Sequence, residues 1–305
     1  MIKLITNKNI QKFPKKLINK RIHLMKNNIL SYKIKNGLVK IPNIKNIIAI
    51  TSGKGGVGKS TTAFNLAIEL QKNGYNIGLL DADIYGPSIP IIIGEIDFKP
   101  DVKDNNFIPL NKFGLEIMSF GFLIDKNQPA IWRGAIVNKA LNQLLYDTKW
   151  GDLDILIIDM PPGTGDIHLS MCQKFPITAT ICITTPQDLA LIDVIKSINM
   201  FKKLGIPSLG FVENMSIHTC KNCGHTEEIF GNKATGKLTK EHNLNLLGKL
   251  PLDINIRIAS DEGNLIQDNK INNYYHEISN KVINNLQKLP KDYSDKLGIL
   301  KILKN

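Results

Sequence analysis

The stretch Thr51-Ser52-Gly53-Lys54-Gly55-Gly56-Val57-Gly58-Lys59-Ser60-Thr61 decides the fold. Residues 53–60 satisfy G-x-x-x-x-G-K-[ST]. They stand between a buried apolar run, Ile47 to Thr51, and a helical pattern from about Lys59 to Lys72. Strand, glycine turn and helix form the context in which this spacing is a phosphate-binding loop rather than a chance glycine-rich turn. The chemistry demands these residue types. Glycines let successive backbone N–H groups turn inward without Cβ clashes, and the helix N-terminus behind them adds partial positive charge. On this reading Gly53, Lys54, Gly55, Gly56, Val57, Gly58, Lys59, Ser60 and Thr61 wrap the phosphates of ATP. Lys59 reaches the β- and γ-phosphates, Ser60 ligates Mg²⁺, and Thr61 bonds the α-phosphate.

On either side of the loop the strand–helix pattern repeats. Ile77 to Leu80, Leu115 to Ser119, Leu153 to Ile158, Ala179 to Thr184, Leu209 to Val212 and Leu246 to Leu250 read as strands. Ala135 to Leu145, Asp188 to Leu204 and Asn273 to Gln287 read as helices. The longest apolar stretches, such as Ile89 to Ile93 and Ile155 to Ile158, are strand-sized or broken by proline, too short to span a membrane. Buried, β-branched strands alternating with helices predict an α/β fold: a mostly parallel sheet with helices on both faces. One ATPase domain is expected over residues 46–290. A basic N-terminal arm precedes it over residues 1–45, and a tail follows over residues 291–305 with an apolar stretch from Leu297 to Leu303.

Two acidic clusters end strands. Asp81-Ala82-Asp83 ends the second, and Asp159-Met160-Pro161-Pro162-Gly163-Thr164-Gly165-Asp166 the fourth. Ligands of open parallel sheets sit at the carboxyl ends of strands, so both clusters face the loop. Asp83 is expected to orient or deprotonate the attacking water. Asp159 is expected to hold Mg²⁺ through its water shell, since Mg²⁺ keeps several waters and takes one or two carboxylates. Alternation points Asp81 to the opposite face, a structural place. The Gly163 N–H is a candidate sensor of the γ-phosphate, and Asp166 a candidate cap of the next helix.

The four cysteines divide into two kinds. Cys172 and Cys182 lie in apolar surroundings and read as core. Cys220-Lys221-Asn222-Cys223-Gly224 is a C-x-x-C in a polar, turn-like segment. The setting is not the strand–helix start of a redox dithiol. Zinc and [4Fe–4S] centres both want about four ligands, and one chain offers two good ones. Two copies of Cys220 and Cys223 would complete one centre on a two-fold axis; alternatively His218 and His225 complete a zinc site.

Composition sets the outer bounds. The 305 residues carry a net charge of +12, but 14 of the 39 basic residues precede Glu69, the first acidic one. The remaining 25 basic residues face 27 acidic ones, so the body is near neutral and the positive charge belongs to the arm. Only Arg21, Arg133 and Arg257 are arginines, which argues against a nucleic-acid surface built of guanidinium forks. No apolar run reaches the roughly 18 residues of a spanning helix, so no stable membrane insertion is expected. Without a secretory signal, a reducing, cytoplasmic setting is expected.

The chain resembles the Mrp/ApbC-type iron–sulfur cluster carriers, P-loop ATPases of the deviant-loop superfamily. The likeness covers about Ile47 to Glu262. It rests on the loop with its second lysine, Lys54; Leu80-Asp81-Ala82-Asp83-Ile84-Tyr85-Gly86-Pro87-Ser88; Trp132-Arg133-Gly134; Ile158 to Asp166; Thr184-Thr185-Pro186-Gln187-Asp188; and Val212-Glu213-Asn214-Met215-Ser216 ahead of the C-x-x-C. The resemblance implies a homodimer that binds and slowly hydrolyses ATP, in which Lys54 reaches the partner's nucleotide and Asn214 reads the adenine. It implies a labile [4Fe–4S] cluster bridging Cys220 and Cys223 of both chains, passed to apo iron–sulfur client proteins. Bacterial members carry a small domain of about 100 residues ahead of the ATPase. With only Met1 to Lys45 in that place, the domain is expected to be lost or eroded. Two other readings share the loop: a membrane- or partner-positioning ATPase of the septum-site or partition type, and a zinc-bridged targeting ATPase. The first lacks the C-x-x-C, and the second needs a client groove that the sequence does not locate.

Overall fold

A computed structural model describes residue 38, residues 41–124 and residues 134–289. The tail over 291–305, Trp132, Arg133 and most of the arm over 1–45 lie outside the described residues. The strand entering the loop, β1 (Ile44–Ser52), begins two residues before the expected domain start at 46.

β1 is buried along its length except at Lys45, which is what a central parallel strand covered on both faces requires. The same holds for β2 (Ile77–Asp81), β7 (Leu153–Asp159) and β8 (Ala179–Thr184), every residue of which is buried. With β5 (Leu110–Lys112), β6 (Leu115–Ser119), β9 (Ser208–Glu213) and β12 (Leu246–Lys249) they form an eight-stranded sheet of order β12-β9-β8-β1-β7-β2-β6-β5. All neighbours run parallel except β5, which pairs antiparallel with β6 at the edge.

Helices cover both faces. Of the longer ones, α1 (Lys59–Lys72) and α8 (Asn269–Gln287) pack together on one side. A Cβ at Gly248 would meet Ile278 of α8. On the other side α5 (Asp188–Lys203) and α6 (Lys233–His242) cover Cys182 and Phe211, which are paired across β8 and β9. Between them in sequence lie α2 (Ile89–Ile92), α3 (Gly134–Tyr146) and α4 (Asp166–Lys174); α7 (Ile254–Asp261) precedes α8. Two small hairpins stand apart from the sheet: β3 (Val102–Lys103) with β4 (Asn106–Phe107), and β10 (His218–Thr219) with β11 (Thr226–Glu227). Among the described residues no helix is long and apolar enough to cross a membrane.

The run Ile89–Ile92 forms one helical turn, with Ile93 its C-cap. Pro90 fits the first turn, where no N–H is needed, and Asp81 Oδ2 accepts the Ile89 N–H at 3.1 Å. Asp166 is the first residue of α4 and Gly165 its N-cap, so Asp166 acts as an acidic first-turn residue and not as the cap.

Candidate functional site

The glycine loop leaves the carboxyl end of β1 and enters α1. Gly56 and Gly58 have φ of 77° and 79°, a left-handed backbone that glycine adopts without a Cβ penalty. Gly58 is the N-cap of α1, with no side chain bonding the helix N-terminus. The first-turn N–H groups are thus presented to the cleft, as an anion site requires. That cleft holds about 380 Å³ and is lined by Lys54, Lys59, Ser60, Thr61, Asp83 and Pro162, among others.

Strand register sets the charges around it. Asp159 pairs with Ile50 of β1 and with Asp81 of β2, so both strand-end carboxylates reach the level of the loop. Lys59 is buried between them, its Nζ 2.6 Å from Asp159 Oδ1, 3.4 Å from Asp83 Oδ2 and 3.3 Å from Ser60 Oγ. Burial pulls the ammonium down, but Asp159, Asp83 and Asp81 outweigh it and hold Lys59 above its usual range. Burial pushes the Asp159 carboxyl up against the pull of Lys59. Asp159 Oδ2 is buried without a hydrogen-bond partner. An unused carboxylate oxygen beside a serine hydroxyl is the hard-oxygen donor set that Mg²⁺ takes, so Ser60 and Asp159 fit that ion.

Asp81 has the structural place expected of it. It accepts bonds from the Asp83 and Ile89 N–H groups and from the Ser119 hydroxyl. Burial, followed by the Asp159 charge, raises its carboxyl to about 7. Asp83 is held by the Tyr85 N–H on Oδ1 and by Lys59 on Oδ2. The Gly163 N–H does not point free toward a phosphate: it donates to the Ser52 carbonyl at 3.0 Å, which ties the turn after β7 to the end of β1.

Three contacts carry no sequence signal of their own. His168, on α4, is 1% exposed, and its Nε2 lacks a partner. Burial and the charge of Lys59 keep the imidazole neutral down to about pH 4, against the pull of the Pro161 carbonyl. Lys54 Nζ donates to Gln187 Oε1 at 2.6 Å within the same chain. Asn214 is buried at the end of β9 and donates through Nδ2 to the Val57 carbonyl at 2.8 Å. A Cβ at Gly58 would run into that amide, so Asn214 and the loop glycine require each other.

The thiol pair sits on the β10–β11 hairpin, which follows the carboxyl end of β9. Cys220 N–H donates to the His225 carbonyl and Gly224 N–H to the Cys220 carbonyl, closing a tight turn with Gly224 at φ 73°. Cys223 is exposed and Cys220 half-buried. Backbone N–H groups of Cys223 and Asn222 hold the Cys220 thiol below its ordinary range, favouring thiolate. Among the described residues no group of three His, Cys, Asp or Glu converges in a way that could hold a metal. Neither His218 nor His225 therefore completes a single-chain zinc site, and His225 instead faces Glu227 at 3.6 Å. Cys172 and Cys182 are buried, and burial pushes the Cys182 thiol to about 12, in keeping with core positions.

The chain matches a ParA-type family model described as NUBPL iron-transfer P-loop NTPase over residues 43–287. It is 47% identical over 259 residues to the iron-sulfur cluster carrier protein of Haemophilus influenzae, covering 83% of this chain and 70% of that relative. It is similar to the nucleotide-binding protein of Archaeoglobus fulgidus solved in complex with ADP, in which cobalt was found. That likeness has a TM-score of 0.66 and 35% identity, over 74% of this chain and 89% of that one. The septum site-determining protein MinD of Pyrococcus horikoshii, complexed with Mg-ADP, shares the fold at TM-score 0.58 and 23% identity, over 78% of this chain and 95% of that one.

Proposed function

This chain belongs to the family of NUBPL iron-transfer P-loop NTPases, and we propose that it carries a labile [4Fe–4S] cluster between two copies of itself. It delivers that cluster to apo iron–sulfur proteins under the control of bound ATP. The observation that carries the reading is the hairpin. Cys220 and Cys223 stand together at the surface, and among the described residues no third ligand joins them. A [4Fe–4S] cluster takes four thiolates. A two-fold axis beside the hairpin supplies them as two pairs, because a closed dimer presents the same patch from both copies. Such a cluster is cargo: two ligands from each copy let it leave when the copies part.

The nucleotide side follows from the buried charges. ATP lies with its phosphates on the N–H groups of the loop from Gly55 to Thr61. Lys59 exchanges Asp159 for the β- and γ-phosphate oxygens. Ser60, and Asp159 through the ion's water shell, would hold Mg²⁺, which when bound would draw charge from those oxygens. Asp83 orients or deprotonates the attacking water. Asn214 meets the adenine through Oδ1, since its Nδ2 is committed to Val57. Lys54 acts on the nucleotide of the partner copy, so hydrolysis by a single chain is slow.

Anaerobic reconstitution with iron and sulfide tests the proposal. The expected product absorbs broadly in the visible and holds near one cluster per two chains. A colourless protein that takes up zinc in preference, or full iron binding by Cys220→Ala, overturns it.

A further inference from the structure

The lysine assigned to the partner's nucleotide is engaged in the single chain. Lys54 Nζ donates to Gln187 Oε1 at 2.6 Å, and both side chains are half-buried. Gln187 is the N-cap of α5, with φ −67° and ψ 137°, yet its side chain makes no bond to its own helix. Serine, threonine, aspartate and asparagine serve that capping role best, because their short side chains reach back to the first-turn N–H groups. The longer glutamine reaches outward to the loop instead. The loop also touches the same helix at Gly53, where a Cβ would run into Asp193 of α5, and within the loop Ser52 Oγ donates to the Lys54 carbonyl at 2.9 Å. The start of the loop and α5 are therefore in close contact beside the lysine.

The geometry points to Gln187 as a positioning residue for Lys54: a latch that keeps the ammonium in its own chain until a second copy presents nucleotide phosphates. This rests on the reading that Lys54 acts in trans. The chemistry of the acceptor suits a releasable latch. A neutral amide oxygen holds an ammonium by a charge-assisted hydrogen bond, and anionic phosphate oxygens form a stronger one. Phosphate can therefore displace the amide. A carboxylate at residue 187 would compete with phosphate on similar terms, and a methyl group would not hold the lysine at all. The latch thus sets how much nucleotide is needed before two copies close on each other.

The test is sedimentation of the full chain against increasing Mg²⁺ and a non-hydrolysable ATP analogue. Gln187→Ala should associate at roughly tenfold lower analogue than the wild type, and Gln187→Glu at roughly tenfold higher, the scale of one charge-assisted hydrogen bond. Shifts of opposite sign are not produced by loss of structure, which would weaken both variants. Equal midpoints in all three proteins, or shifts in the same direction, overturn the latch. Lys54→Ala separates this result from the premise. If it associates like the wild type, Lys54 does not act in trans and both ideas fall. If it is impaired while both Gln187 variants match the wild type, only the latch falls.

Discussion

The loop centre and the cysteine hairpin are built on opposite principles. At the loop, Lys59, Asp81, Asp83 and Asp159 are buried, and each charge is held by another side chain or by backbone N–H groups. The hairpin is exposed at Cys223 and half-buried at Cys220, and among the described residues no third metal-ligating group converges on these two thiols. A buried charged network must be completed within the fold, because an unpartnered charge there costs several kcal/mol. An exposed thiol pair carries no such demand and can wait for ligands from outside. The buried charges at the loop are thus balanced within one chain, whereas the thiol pair is open to ligands from outside it.

The largest effect should come from the hairpin. Cys220→Ala should lose the cluster completely while ATP affinity, measured by calorimetry, stays within about threefold, as expected of distant sites without shared partners. A large loss of ATP affinity would show that the two regions are one site. Next comes Lys59→Ala, where affinity for ATP should fall about 100-fold, the scale of strong charge-assisted bonds. Anaerobic cluster assembly should survive in that variant. Unchanged affinity would remove Lys59 from the phosphate site.

A pH experiment probes the buried network alone. His168 has an ordinary value of 6.5 and a folded value of about 4, so between these limits the unfolded chain binds more protons. Its contribution is present above pH 6.5 and is lost as the pH falls toward 4. From pH 6.5 to pH 4.5 this should remove about 2 kcal/mol of stability that His168→Gln does not lose. Asp81 acts with the opposite sign: its carboxyl is raised to about 7, so its contribution disappears as the pH rises through that value. The difference between variant and wild type in urea melts therefore isolates the histidine better than either profile does. Parallel melts at both pH values would contradict the assignment. The smallest effect on binding belongs to Lys54→Ala, where ATP affinity should fall less than threefold while steady-state hydrolysis drops far more, since a group acting on the transferred phosphoryl group is felt in the rate. Equal losses would place Lys54 in ordinary ground-state binding.

How legible each region was in the sequence follows from the same contrast. The central strands are fully buried apolar runs, and the loop glycines need left-handed backbone, so both leave marks in the residue types themselves. The separate hairpin β3–β4 is two exposed residues against two half-buried ones, too short for any period. α6, Lys-Ala-Thr-Gly-Lys-Leu-Thr-Lys-Glu-His, is polar and carries a glycine, and α7 has eight residues set by the Asp253 cap. The single helical turn Ile89–Ile92 is too short for a period, and composition alone does not show that Asp81 accepts from its first N–H. The placement of Asp83 and Asp159 beside the loop lysine was legible from their positions at strand ends. The Lys54–Gln187 contact joins residues 133 positions apart, and His168 is a lone histidine on a short helix; neither leaves a local pattern.

Native mass spectrometry of the protein purified without oxygen weighs chains and cluster together. A shared cluster gives a species of two chains bearing four irons and four sulfides, which Cys220→Ala lacks. A single chain retaining iron, or a two-chain species that binds zinc through the same cysteines, would contradict it.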